Sequence, residues 1–203
     1  MTGYGKINLQ DMSEMIGVEE LQSIISDFSC PLNNDVQTFL TEKAVEFSKQ
    51  GISATYLVFA SYRKNPVLAG YFTLALKVFH IGLKQARISN TLKKRIRRFS
   101  IYNEDIKRDI VAAPLIAQIG KNYTNGYNDL ISGDELLQLA CDTVADAQRL
   151  LGGRFVYLEC EDTSRLLEFY ESNGFYNFGQ RPLDPDETGL KGKYLVQMLK
   201  YLR

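Results

Sequence analysis

Apolar positions recur at helical spacing along much of the chain and set its outline. Leu21, Ile24, Ile25 and Phe28 share one face over Val18 to Phe28. Val36, Phe39, Leu40, Ala44 and Phe47 do the same from Asn33 to Gln50, and Gly51 stands where a C-cap belongs. Cys30-Pro31 separates the two helices, because proline disfavours a helical residue before it. Leu136, Leu137, Ala140, Val144, Ala147 and Leu151 line a long amphipathic helix from Asp134 to Leu151, stopped by Gly152-Gly153. A short helix is predicted from Ser164 to Asn173.

Elsewhere the pattern turns to strands. Ala54 to Tyr62 and Val67 to Phe79 are rich in aromatic and β-branched residues, with RKNP between them as a hairpin loop. Ile110 to Gly120, IVAAPLIAQIG, is nearly continuously apolar and reads as a strand buried on both faces. Arg154 to Cys160 and Tyr194 to Leu199 are further strands, and Phe175 begins another. NYTNGYNDLISG, residues 122 to 133, is loop chemistry, and RPLDPDETGLKGK, residues 181 to 193, is a polar connection. No repeat, low-complexity tract or linker divides the chain, so residues 1–203 are expected to form a single domain of α/β (α+β) class.

The order strand, polar loop, long helix, strand is a crossover that joins neighbouring parallel strands. Backbone N–H groups at the start of the helix from Asp134 lack helical partners and suit an anion such as a pyrophosphate. The other reading is a plain helix start, with Ser132 and Glu135 forming a capping box and Asp134 and Glu135 complementing the helix dipole.

Composition narrows the class. A chain of 203 residues buries roughly 70% of the surface it exposes when unfolded, so it folds without disulfides or metal. With 24 basic and 24 acidic residues, net charge points to no polyanionic partner. Residues 84 to 98, KQARISNTLKKRIRR, carry seven basic side chains and no acid. They suit a phosphate backbone or the 3′-phosphate of a nucleotide, or else the wet side of a helix whose stripe is Ile88, Leu92, Ile96 and Phe99. Cys30, Cys141 and Cys160 are far apart and read as reduced, buried thiols, and the lone His80 argues against a zinc site or a histidine-based triad. The N-terminus lacks the basic start and apolar core of a signal peptide, and no run approaches the ~18 apolar residues of a membrane span. A soluble, cytoplasmic protein with no membrane partner is expected.

From Pro114 to Phe175 the residues resemble the GNAT superfamily of acyl-CoA-dependent N-acyltransferases. In that family a strand leads into a pyrophosphate-binding loop and helix, then a splayed strand, then a helix bearing a tyrosine. CEDTSRLLEFYESNGF, residues 160 to 175, is similar to the family's ending. The N-terminal half is similar to the front of GNAT-type toxins from toxin–antitoxin modules, which acetylate aminoacyl-tRNA. The residues that carry this second likeness are Phe28-Ser29-Cys30, Phe39, Gly51-Ile52-Ser53, TYLVFA and the AGYFTLA of residues 69 to 75. The glycine-rich loop departs from the family's Gln/Arg-x-x-Gly-x-Gly/Ala. NDLISG, residues 128 to 133, fits only in its final glycine, with Asn128 in place of the cation or amide and Ile131 in place of the middle glycine.

The resemblance implies a GNAT-like mixed central β-sheet flanked by helices. It also implies transfer of an acetyl group from acetyl-CoA to the amine of an unidentified acceptor, by direct attack in a ternary complex. Tyr170 would be the proton donor to the departing thiolate. The backbone N–H near Ile119 would hold the oxyanion. Gly126, Asn128, Leu130, Ile131, Ser132 and Gly133 would cradle the pyrophosphate, with Gly126 supplying part of what the loop otherwise lacks. Thr163 matches the position of an asparagine that often contacts CoA; alternatively it or Ser164 caps the following helix. Glu159 and Glu161 share a strand face and are candidates for a general base through water, or simply solvated acids. The alternatives are a toxin-like acetyltransferase of aminoacyl-tRNA and a catalytically idle GNAT-like binding module. A tRNA partner is less favoured, and a homodimer stays open.

Overall fold

The computed structural model describes residues 3–184 and 192–202. The polar connection predicted over residues 181 to 193 lies largely outside them.

The chain opens with β1 (Gly5–Asn8) and α1 (Leu9–Ile16), neither of which the periodicity predicts. Asn8 caps α1 by accepting from the Gln10 N–H at 2.8 Å. Helix α2 (Val18–Ser26) follows. The predicted helix over 33–50 is divided into α3 (Asn34–Thr38), a π-turn (Phe39–Lys43) and α4 (Ala44–Lys49). A π-turn displaces carbonyls from the regular ladder. The Thr41 carbonyl accepts from Gln22 Nε2 at 2.9 Å.

β2 (Ala54–Tyr62) and β3 (Asn65–Ile81) form an antiparallel hairpin in which Tyr62 pairs with Asn65. The connection is therefore Arg63-Lys64 alone and not the four residues RKNP. Both sit at positive φ, 50° and 69°, as a two-residue turn matching the strand twist requires. For side chains other than glycine that conformation costs about 1–2 kcal/mol per residue.

Helix α5 (Asn90–Arg97) carries only the second half of the basic run, with Lys93, Lys94, Arg95 and Arg97, while Lys84 and Arg87 lie exposed in the connection before it. It is followed by the unpredicted β4 (Ser100–Asn103) and by β5 (Arg108–Lys121), paired antiparallel. β5 corrects the expectation of a strand buried on both faces. Val111, Ala113 and Ile116 are buried while Ala112 and Ala117 are exposed, so the apolar run conceals an alternation written partly in alanine. Then come a 3-10 segment (Thr124–Leu130), α6 (Gly133–Leu151), β6 (Phe155–Cys160), α7 (Ser164–Ser172), β7 (Tyr176–Pro182) and β8 (Tyr194–Tyr201).

The result is a mixed central sheet flanked by helices, in the order β1-β2-β3-β5-β6-β8-β7 with β4 beside β5. Contacts group the chain into two compact units through which β3 and β5 both run. The first holds residues up to Ala75 and Ile116–Asp142. Its core gathers Leu9, Leu21, Ile25, Phe28, Leu40, Leu57 and Tyr71; complete burial of each leucine or isoleucine contributes about 1.5–3 kcal/mol.

The second unit holds Leu76–Leu115 and Thr143–Arg203. Leu92 and Ile96 of α5 pack there with Phe79, Phe155, Tyr157 and Leu199. The Arg95 guanidinium lies 4.5 Å above the Tyr201 ring, while Lys94, Arg97 and Arg98 face solvent. Within α5 the cations are the wet side of an amphipathic helix whose buried stripe is Leu92 and Ile96; Lys84, Arg87 and Ile88 lie outside any helix.

Candidate active site

In the first unit the predicted cofactor loop is built outward from Asn122, which is 3% exposed. Its side-chain amide donates to the Leu68 carbonyl at 2.9 Å, and its Oδ1 accepts from the N–H groups of Ser29 and Thr124, both at 3.1 Å. Its own N–H donates to Ala69 at 2.8 Å. The Thr124 hydroxyl adds a bond to the Asp27 carbonyl. A residue satisfied on every side in this way locks the loop to two distant segments.

The loop is not the irregular coil its composition predicts. It is a 3-10 turn bent where Asn125 and Gly126 adopt left-handed φ of 52° and 76°. Lys121 Nζ donates to the Asn128 carbonyl at 2.8 Å, and the Tyr4 hydroxyl donates to that of Leu130 at 3.1 Å. Gly126 and Ser132 are exposed, Asn128, Leu130 and Gly133 are half-buried, and Ile131 is a buried anchor. The side chain of Ile131, expected where a middle glycine would stand, is thus buried.

Ile119 is half-buried near the end of β5, beside Gly120. A Cβ on Gly120 would stand 2.5 Å from Val36 Cγ1, and one on Gly70 would stand 2.8 Å from the Gly120 carbonyl oxygen. Bare backbone is what lets α3 pack down on this strand end. Gln118 ties the same helix by donating to Asp35 at 2.7 Å.

At the start of α6 the capping box forms. The Ser132 N–H donates to Glu135 Oε2 at 2.9 Å, and the Glu135 N–H donates to Ser132 Oγ at 3.1 Å. The Ser132 N–H and hydroxyl, and then the Tyr4 hydroxyl, hold the Glu135 carboxyl below its usual range. Burial, and then Glu135, raises the Tyr4 phenol. A carboxylate at this helix start complements the dipole and opposes a bound phosphate, whereas the Lys121 ammonium brings the opposite charge to the loop.

In the second unit β6 ends at Cys160, and Thr163 is the N-cap of α7 by backbone geometry, its hydroxyl making no capping bond. Tyr170 is 7% exposed, and its ring packs edge-on against Phe169 and Phe175. No hydrogen bond to its hydroxyl is found among the described residues. Burial raises its pKa, and the neighbouring Cys160 adds to the effect. Burial likewise pushes the Cys160 thiol up to about 12, so this cysteine is an inert neighbour. The Glu159 carboxylate is engaged at both oxygens: Arg181 Nε donates to Oε2 at 2.7 Å and Gln197 Nε2 to Oε1 at 2.9 Å. Glu161 is half-buried and has an interaction of its own.

Solved structures match the chain over nearly its whole length. A tyrosine-to-phenylalanine mutant of KacT does so with a TM-score of 0.62 at 16% identity, over 96% of this chain and 94% of that one. AtaT complexed with acetyl-methionyl-tRNAfMet gives 0.59 at 16% identity, over 95% and 93%. AtaTR bound with AcCoA gives 0.53 at 15% identity, over 97% and 93%. The chain has their fold. No family model and no curated protein matches it. The likeness is one of architecture, the GNAT-like arrangement expected from Pro114 to Phe175 and from the N-terminal half.

Sequence reasoning missed Tyr4, Lys121 and Asn122. A lysine and an asparagine directly after an apolar strand were the available signal for two of them. Tyr4 stands in a segment with no periodicity to read.

Proposed function

We propose that the protein is an N-acyltransferase that moves an acetyl group from acetyl-CoA to an amine. The observation that carries this reading is Tyr170, a buried phenol kept protonated and with no hydrogen-bond partner among the described residues. The AcCoA-bound and acetyl-methionyl-tRNA-bound structures of the same fold support it.

Acetyl-CoA supplies an activated thioester carbonyl. The acceptor nitrogen bonds to that carbon, the C–S bond breaks, and the amine's surplus proton leaves to solvent. The backbone N–H near Ile119 holds the carbonyl oxygen while it carries charge. Tyr170 donates its proton to the sulfur as that atom gains charge, and regains one from water. The loop from Gly126 to Gly133, with Lys121 behind it, holds the pyrophosphate. Thr163, whose hydroxyl makes no capping bond to α7, is a further candidate contact to the donor.

With both Glu159 oxygens engaged, an amine that keeps an appreciable neutral fraction near pH 7 is the better acceptor. An α-amino group, with a pKa of about 7.7–8.0, suits this more than a lysine at about 10.4. This favours an aminoacyl group as the second, finer reading, in line with the AtaT match.

Titration calorimetry with acetyl-CoA, followed by thiol release on adding amines or aminoacyl-tRNA, tests both levels. Binding and thiol release support the acyltransferase. Protein shown to be folded that binds no acetyl-CoA would leave the binding-module reading in its place.

A further inference from the structure

The hairpin tip between β2 and β3 is made of two adjacent cations that both sit at positive φ. Arg63 and Lys64 occupy both positions of a turn that Asn-Gly would fill without strain, and both side chains are exposed. Outliers of this kind gather at functional sites, where the surroundings hold them in place. Here the surroundings are aromatic. The Arg63 guanidinium lies 5.1 Å from the centroid of the Tyr62 ring, and that half-buried ring packs at 5.5 Å and 62° against Tyr127 of the 3-10 segment. Tyr127 stands one residue before Asn128, whose carbonyl accepts from Lys121 Nζ at 2.8 Å. Among the described residues Arg63, Lys64 and Lys121 form no salt bridge.

We propose that this cluster binds the adenosine 3′,5′-bisphosphate end of the acyl-CoA donor, with a tyrosine ring stacked on the adenine and Arg63 and Lys64 on the 3′-phosphate. The inference rests on the acyltransferase reading and adds the residues that grip the donor's far end. A phosphomonoester brings nearly two negative charges and three acceptor oxygens, which two adjacent cations without acidic partners match. A purine brings a flat π-face, which the tyrosine pair matches without needing base-specific bonds. The hairpin requires the turn, but Asn-Gly would meet it without strain, and cations needed only for solubility would not require the ring beneath Arg63.

The test compares CoA, 3′-dephospho-CoA and acetyl-pantetheine by calorimetry on the full chain and on the double variant Arg63→Asn with Lys64→Gly. That variant keeps the turn and relieves its strain, so its melting temperature holds or rises. The intact protein is expected to bind CoA about tenfold more tightly than 3′-dephospho-CoA. The variant is expected to lose that difference and leave acetyl-pantetheine unaffected. A variant that keeps the full preference for CoA overturns the subsite while the acyltransferase reading stands. Folded wild-type protein that binds none of the three overturns that reading, and the subsite with it.

Discussion

Arg181 holds Glu159 by a 2.7 Å bond from Nε to Oε2, in a pair whose side chains are 26% and 13% exposed. Gln197 takes the other carboxylate oxygen at 2.9 Å, so this glutamate anchors β6 to β7 and β8 rather than waiting for a proton. Glu159→Gln should leave the ascending limb of the pH–rate profile in place. Arg181→Ala strands the carboxylate and should lower stability by about 1.5–3 kcal/mol in chemical denaturation. Loss of the ascending limb in Glu159→Gln would restore the glutamate as the base.

Tyr170→Phe removes a hydroxyl that bonds to no described residue, so the fold should tolerate it. General acid catalysis is worth about 10²–10⁴ in rate, and kcat should fall within that range while acetyl-CoA affinity holds. Equal losses in affinity and kcat would mark Tyr170 as packing.

The pH dependence follows from the sign of the same shift. Burial raises the Tyr170 pKa in the folded protein, so the protonated donor persists beyond the ordinary tyrosine range of about 10. Activity should rise as the acceptor amine loses its proton and show no descending limb below about pH 10. The stability that goes with the raised pKa is fully present below the unfolded value and is lost as pH climbs through the folded one. A descending limb near neutrality would require a different acid.

Much of this architecture was legible because its signals are local. The capping box at Ser132 and Glu135 and the glycine stop after Leu151 depend on residues within a turn of each other. What escaped depends on partners far along the chain. Asn122 bonds to residues 54 and 93 positions away, and nothing in NYTNG announces that. β1 and β4, GKIN and SIYN, are four residues long and too short for a period to show. β5 misled because Ala112 and Ala117 are apolar in composition yet face outward.

The start of α6 carries a charge that works against the ligand proposed for it. Glu135 closes the capping box, and glutamine closes it equally well. Glu135→Gln should therefore lower stability only slightly, by the lost charge–dipole contact, while acetyl-CoA binds about two- to fivefold more tightly, the size of a helix-terminus charge effect. The gain should shrink as salt is raised. Unchanged affinity at low salt would show that no pyrophosphate lies near this helix start.

Asn122 offers the sharpest separation of scaffold from site. Asn122→Ala leaves the N–H groups of Ser29 and Thr124 and the Leu68 carbonyl without their partner, in a place 3% exposed. Each unsatisfied buried group costs about 1–3 kcal/mol, so a loss of about 3 kcal/mol or more is expected in denaturant unfolding. Loosening at this point also frees the loop that begins two residues later, and acetyl-CoA affinity should fall with it. Kinetic parameters for catalysis, measured at saturating donor, should stay near those of the intact protein, because Asn122 touches none of the reacting atoms. A variant that folds, loses stability and binds acetyl-CoA as before would show that the clamp serves the core alone.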